Sequence, residues 1–394
     1  MPNIVAAQSP ADPRSPVGTI APDAKAGAKP EQGMALCLSG GGYRAMVFHI
    51  GAIWRLYETG ALKSLKRISS VSGGSITAGV LALAWKKLMA PAAPERGVFE
   101  REFVAPLRQL AGETIDAESV VIGLLLPGKI SDRIAAAYDK QLFHGATLQD
   151  LPDEPRFVIN ATNVQTGALW RFMKPYMADY RVGMVDKPTI PLAQAVAASS
   201  AFPPVLSPME MRLDPTSFRA NSGTDLQREP FTSKVVLSDG GVYDNLGLET
   251  AWKRYDTILV SDGGGQLEAE EEPKSDWAQH SYRVLNLIDN QVRALRKRQV
   301  IGSYTADPKD AIYRKGSYWG IRTDIANYQL PDALACPHDR TLALAATPTR
   351  LKRMDAGLQD RLINWGYAVC DAALRKHVDA ALQPAPAFPY TGGV

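Results

Sequence analysis

The chain predicts an α/β layer fold with a largely parallel sheet, because short buried strands alternate with helices along it. Three observations carry this. Residues 35–38 form an apolar run stopped by glycines, and residues 45–57 continue with helical spacing to a break near Gly60. Residues 67–71 and 75–88 repeat the order strand, glycine turn, helix. Residues 157–160, 235–237 and 257–260 are further short β-type runs. Ligands of such sheets sit beyond the carboxyl ends of the strands. Both glycine turns and Asp239 are expected at those ends.

The 394 residues suffice for one large domain or two ordinary ones. We expect a single catalytic domain over 34–382, a disordered tail over 1–33 and a second tail over 383–394, whose Phe388 and Tyr390 can fold back. Residues 90–155 have a helical pattern and are expected as a cap near the site. Residues 207–233 are polar and loop-like. A net charge of +3 gives no case for nucleic acid, so any anionic surface must be met by a local patch. Cys37, Cys336 and Cys370 have neither metal-ligand spacing nor a disulfide framework, which favours a reducing, cytoplasmic setting. The first thirty residues lack a basic start followed by an apolar run, so no secretory signal is expected. The longest apolar run, 120–126, is far short of the roughly 20 residues that span a bilayer.

Two stretches carry chemistry. In Ser70-Val71-Ser72-Gly73-Gly74-Ser75, Ser72 sits on a strand–turn–helix junction, where a tight turn admits only small residues two positions either side. Ser70 stands where such elbows carry their first glycine. The rivals Ser70 and Ser75 lack glycine at both flanks, and the plain alternative for Ser72 is a helix cap. In Ser39-Gly40-Gly41-Gly42-Tyr43-Arg44-Ala45, backbone N–H groups converge at a helix start. The stretch lacks the Gly-Lys-[Ser/Thr] ending of a nucleotide loop. It fits an oxyanion hole better. Arg44 either binds a substrate phosphate or holds the loop by a salt bridge. Of the five histidines, His49 falls inside the first helix as a packing residue. His144, His280, His338 and His377 lie in no catalytic context, although the last three follow the acid in chain order. Asp239 and Asp262 each end a strand and precede Gly-Gly, and local chemistry does not separate them.

Together these stretches resemble the patatin-like phospholipase family, which shares a core with the cytosolic phospholipase A2 group. The resemblance rests on Ser39–Ala45, on Val71–Ser75, on Asp239-Gly240-Gly241 continuing to Asn245-Leu246-Gly247, and on the segment 197–203, over about residues 34–265. It implies a three-layer α/β sandwich around a mostly parallel sheet. It implies a Ser72–Asp239 dyad, an oxyanion hole at Gly40, Gly41, Gly42 and Arg44, and an elbow supported by Gly73 and Gly74. The Asn-Leu-Gly context selects Asp239 over Asp262. The implied activity is a calcium-independent lipid acyl hydrolase of phospholipase A type, with no metal or cofactor, acting on a phospholipid or other lipid ester at a membrane surface. Residues 120–126 and the basic residues Arg283, Arg293, Arg296, Lys297 and Arg298 are the available membrane contacts; a core helix and a solvated face are their plain alternatives. A soluble carboxylesterase or thioesterase, and an inactive hydrolase-fold binding protein, are the rival functions.

Overall fold

The structure is a computed structural model that describes residues 30–90, 92–115, 129–204 and 206–394. The expected tail up to residue 29 and the apolar run 120–126 lie outside the described residues.

Ten strands, among the described residues, build one mixed sheet. They are β1 (Glu31–Leu38), β2 (Leu65–Ser70), β3 (Arg156–Asn163), β4 (Ala168–Phe172), β5 (Tyr176–Asp179), β6 (Gly183–Asp186), β7 (Met209–Arg212), β8 (Lys234–Asp239), β9 (Tyr255–Asp262) and β10 (Lys315–Gly320). The main path runs β10-β9-β1-β2-β3-β4-β5-β6. The half from β10 to β3 is wholly parallel. From β3 onward the sheet continues in antiparallel pairs, and β8 also pairs β3 and carries β7.

Strand parity divides the sheet between two cores. Leu36 and Leu38 of β1 join the larger core, with Met46, Ile50 and Ile76. Ala35 and Cys37 face the other way, toward Leu246, Leu248, Ile258 and Val300. The larger core is covered by α1 (Gly42–Glu58), α2 (Gly73–Met89) and the long helix α8 (Ala356–His377); the smaller one lies under α6 (Glu249–Trp252) and α7 (Trp277–Thr305). The result is the expected three-layer sandwich. A buried Asp371 pins α8 to α1 through Arg55 at 2.7 Å and caps the network with Arg375 at 3.0 Å.

Some boundaries differ from expectation. β1 begins at Glu31, inside the stretch read as tail, because residue 31 already pairs Tyr255 of β9. Residues 383–394 lie on the body: Asn364 donates to the carbonyls of Tyr390 (2.9 Å) and Gly393 (2.8 Å). The described part of 90–155 includes α3 (Lys129–Tyr138). Its Phe99, Phe103 and Leu107 sink into the larger core, and none of its described residues lines the cleft introduced below.

The topology also explains how an antiparallel strand reaches the functional end. Ser70 of β2 is level with Ile159 of β3, so β3 overshoots its parallel neighbours by the four residues 160–163. β8 returns along that overhang, Leu237 opposite Asn163 and Asp239 opposite Ala161. It therefore stops close to where β1 and β2 also end.

Candidate active site

Ser72 occupies the N-cap of α2 with φ 51° and ψ −121°, a conformation few non-glycine residues adopt. The turn is tied to the exit of β1: Val71 N–H donates to Leu38 O (3.1 Å) and Gly74 N–H to Ser39 O (3.2 Å). That closeness dictates the glycines. A Cβ on Gly73 would lie 2.2 Å from Gly42 O, and one on Gly74 2.5 Å from Leu38 O. Ser70 and Ser75 are fully buried, with their hydroxyls 3.0 Å apart, and neither lines the cleft. Ser70 thus fits the elbow's glycine position by turning its hydroxyl into a buried network.

The β1–α1 turn lies alongside. Gly41, at φ 141°, caps α1. Gly40 gives its N–H to Asn245 O at 3.0 Å. A Cβ there would meet Asn245 Oδ1 at 2.3 Å and Ser72 Cβ at 3.1 Å, so Asn245, Gly40 and Ser72 are in close contact. The N–H groups of Gly41 and Gly42 have no acceptor among the described residues, and both glycines line the cleft. Arg44 does not line it. Its guanidinium donates to Gly263 O (3.0 Å), Thr349 Oγ1 (2.8 Å) and Thr347 O. Burial, and then the neighbouring Arg293, pull its pKa down to about 10. Of the two roles open to Arg44, holding the loop is the one its contacts match, through carbonyls rather than a carboxylate.

Asp239 ends β8 just before α5 (Gly241–Asp244), and its Oδ1 accepts Gly241 N–H at 2.7 Å. Oδ2 is buried with no hydrogen-bond partner. Burial raises the pKa to about 7, with Asp289 adding to the rise; Gly241 N–H and the Ser72 hydroxyl act in the opposite direction. The Ser72 hydroxyl is therefore close enough to act on the carboxyl, while Oδ2 lacks a well-formed bond. Asp262 differs. Its Oδ1 accepts Gly264 N–H (2.9 Å), its Oδ2 accepts Tyr318 Oη–H (2.7 Å), and it does not line the cleft.

No histidine lines the cleft. His49 is fully buried, and burial lowers its pKa to about 4. Its Nε2 lies 3.0 Å from Ser39 O, which can only accept, so Nε2 carries the proton and Nδ1 accepts from Ser261 Oγ at 2.8 Å. Among the described residues, no group of three His, Cys, Asp or Glu side chains is arranged to hold a metal ion.

The cleft, about 310 Å³, brings Ser72, Asp239, Gly41 and Gly42 together. Phe202, Pro203, Leu206 and Leu351 give it an apolar wall. Opposite runs α7, contributing Asn286, Asp289, Asn290 and Arg293. Sequence reasoning missed this wall. The signal was present: these four recur at i, i+3, i+4 and i+7, one face of a helix. The expected basic cluster is dispersed. Arg293 enters the cleft, Arg296 pairs Glu249 at 2.9 Å, and Lys297 sits over the Tyr318 ring at 4.6 Å.

This architecture has known counterparts. Human GIVD cytosolic phospholipase A2 superposes with a TM-score of 0.50 at 13% identity, covering 86% of this chain and 58% of that one. This chain thus spans little more than half the length of that protein, and the likeness shows the fold. VipD from Legionella pneumophila aligns with a TM-score of 0.35 at 15% identity, over 89% of this chain and 68% of that one. No curated protein matches the sequence. The sequence itself matches the family described as patatin-like phospholipase over residues 36–252, which runs from β1 through both glycine turns and Asp239 to the end of α6. With more than half of its residues matched in this way, the chain belongs to the patatin-like phospholipase family.

Proposed function

We propose that the protein is a lipid acyl hydrolase of phospholipase A type that works through a Ser72–Asp239 dyad. One observation carries the reading: Ser72 on its strained turn, the open carboxyl oxygen of Asp239 and the two unpartnered N–H groups of Gly41 and Gly42 share one cleft. Asp239 Oδ2 takes the proton as Ser72 Oγ attacks the ester carbonyl. Its raised pKa supports this, since a general base works best with a pKa near the working pH. Gly41 and Gly42 N–H groups hold the oxyanion, helped by the positive ends of α1 and α2. The proton passes to the departing alcohol, and water activated by the same carboxylate frees the fatty acid. No step calls for histidine, calcium or a cofactor.

The substrate class is supported by α7. Opposite its cleft-lining residues it exposes Val284, Leu287, Ile288 and Leu295. Such a two-faced helix suits the boundary of a bilayer. Each methylene removed from water contributes about 0.8 kcal/mol, enough in sum for reversible docking. No helix of the described residues is long and apolar enough to cross the membrane. Arg293, which reaches the cleft from α7, is a cation that can meet an anionic head group there.

Fatty-acid release from phospholipid vesicles, compared with monomeric short-chain esters, tests the reading. Vesicles should be preferred, and Leu287→Ser/Ile288→Ser should lower vesicle binding and vesicle turnover while sparing the short esters. Equal rates on both substrates, untouched by that double variant, would establish the soluble esterase instead. Arg293→Gln should raise KM for vesicles of anionic phospholipid by about tenfold, the scale of one charged contact, and leave a neutral diacylglycerol unaffected. A uniform loss on both would remove Arg293 from head-group binding.

A further inference from the structure

Ser199, the last residue of α4 (Leu192–Ser199), sits where the two halves of the proposed dyad meet. Its Oγ accepts the backbone N–H of Ser72 at 3.0 Å. Its own carbonyl accepts Gly240 N–H at 3.2 Å, and two residues on Ala201 O accepts Asp239 N–H at 2.9 Å. One three-residue stretch therefore grips the backbone of both Ser72 and Asp239, which come from turns 167 positions apart in sequence.

We infer that the Ser199 hydroxyl is a positioning group that sets the distance between Ser72 and Asp239. The inference rests on the dyad reading above. Proton counting supports it. Ser199 Oγ lies 2.6 Å from Asn160 O, a carbonyl that can only accept, so the hydroxyl proton goes there. One of its lone pairs accepts Ser72 N–H; Ser75 Oγ lies 2.9 Å away, but its single proton goes to Ser70 Oγ at 3.0 Å. The bond to Asn160 O thus fixes the orientation of the hydroxyl, with an acceptor lone pair held toward Ser72 N–H. Asn160 belongs to the overhang of β3, and its side chain donates to Ser70 O at 2.9 Å, on the strand that leads into Ser72. A Cβ on Gly240 would lie 2.3 Å from Asn160 O, so the turn after Asp239 presses on the same carbonyl. Ser72 N–H cannot find an acceptor in its own helix, because it precedes the first turn. Without Ser199 Oγ that buried N–H is orphaned, and the turn is free to relax away from Asp239. The segment 197–203 resembled a family motif, yet the sequence showed no role for it.

The experiment compares Ser199→Ala, Ser199→Thr, Ser199→Cys and Ser75→Ala with wild type, reading kcat, KM, fluorophosphonate labelling rate and melting temperature. Ser199→Ala should lower kcat and the labelling rate together by about 100-fold, the scale of a 1 Å misplacement, with KM unchanged. Ser199→Thr retains the acceptor oxygen and should restore most of the rate. Ser75→Ala removes a neighbouring hydroxyl of the same network but not the Ser72 bond, so it should share the drop in melting temperature and keep wild-type kcat. If Ser199→Ala does not fold, Ser199→Cys, with a weak acceptor of similar size, should fall between Ser199→Thr and that loss. Wild-type kcat in Ser199→Ala or Ser199→Cys, or a loss matched by Ser75→Ala, overturns the inference and leaves the dyad intact. Failure of the probe to label wild type at Ser72 overturns both.

Discussion

Ser72→Ala is expected to lower kcat by about 10⁵- to 10⁶-fold, the scale seen when a serine hydrolase loses its nucleophile. Folding should be preserved. The side chain packs no core, and its backbone turn is held by Ser199 Oγ, by the Gly73 and Gly74 approach to β1 and α1, and by Gly74 N–H. Alanine keeps these, and it carries the same positive-φ strain that serine already bears. A fluorophosphonate should label wild type and spare the variant. Ser70→Ala and Ser75→Ala should still be labelled, because both hydroxyls are buried outside the cleft. Labelling lost in either of those, and kept in Ser72→Ala, would move the nucleophile. Unlabelled wild type with intact lipid binding would favour the inactive binding protein.

The parallel half of the sheet was legible because its strands are apolar runs closed by glycine. β1 and β2 lead into turns where only glycine fits between two approaching backbones, and that requirement is written in the residues. β4 to β7 were not legible. Each is four or five residues long, and Ala168–Phe172 is buried throughout, so no alternation marks it. The direction of β8 was also hidden, since it depends on β3 running four residues past β2, a property of register rather than of any local pattern. Asp239 and Asp262 look alike in sequence. They differ in space because Tyr318, 56 residues beyond Asp262, spends its hydroxyl there, while Asp239 Oδ2 is left without a hydrogen-bond partner. Arg44 and Arg293 exchanged expected places for a similar reason. The arginine beside the glycines is drawn off by carbonyls of residues 263 and 347, and a helix weighed as a membrane contact or a solvated face brings another cation into the cleft.

Asp239→Asn is expected to lower kcat by about 10⁴-fold, the upper range for removing a general base, and to abolish the pH dependence that the carboxyl imposes. With its pKa raised to about 7, wild type should show kcat/KM rising with pH through 7, as the base becomes ionised. The same shift has the opposite sign for stability. The folded state favours the protonated acid, so the contribution is fully present below the ordinary carboxyl value of 3.8 and is lost as pH rises through about 7. Wild type should therefore lose melting temperature between pH 5 and pH 8 relative to Asp239→Asn, which has no proton to release. The partner that holds Asp239 high is in part Asp289 across the cleft, whose own burial raises its pKa and which Arg293 pulls back down. Asp289→Asn should accordingly shift the kcat/KM midpoint to lower pH without removing the rise. Asp262→Asn, which breaks a bond to Tyr318 outside the cleft, should leave the midpoint in place. An inactive Asp262→Asn beside an active Asp239→Asn would reverse the assignment, and a flat wild-type profile from pH 5 to pH 8 would show that Asp239 is ionised throughout and that burial does not tune it.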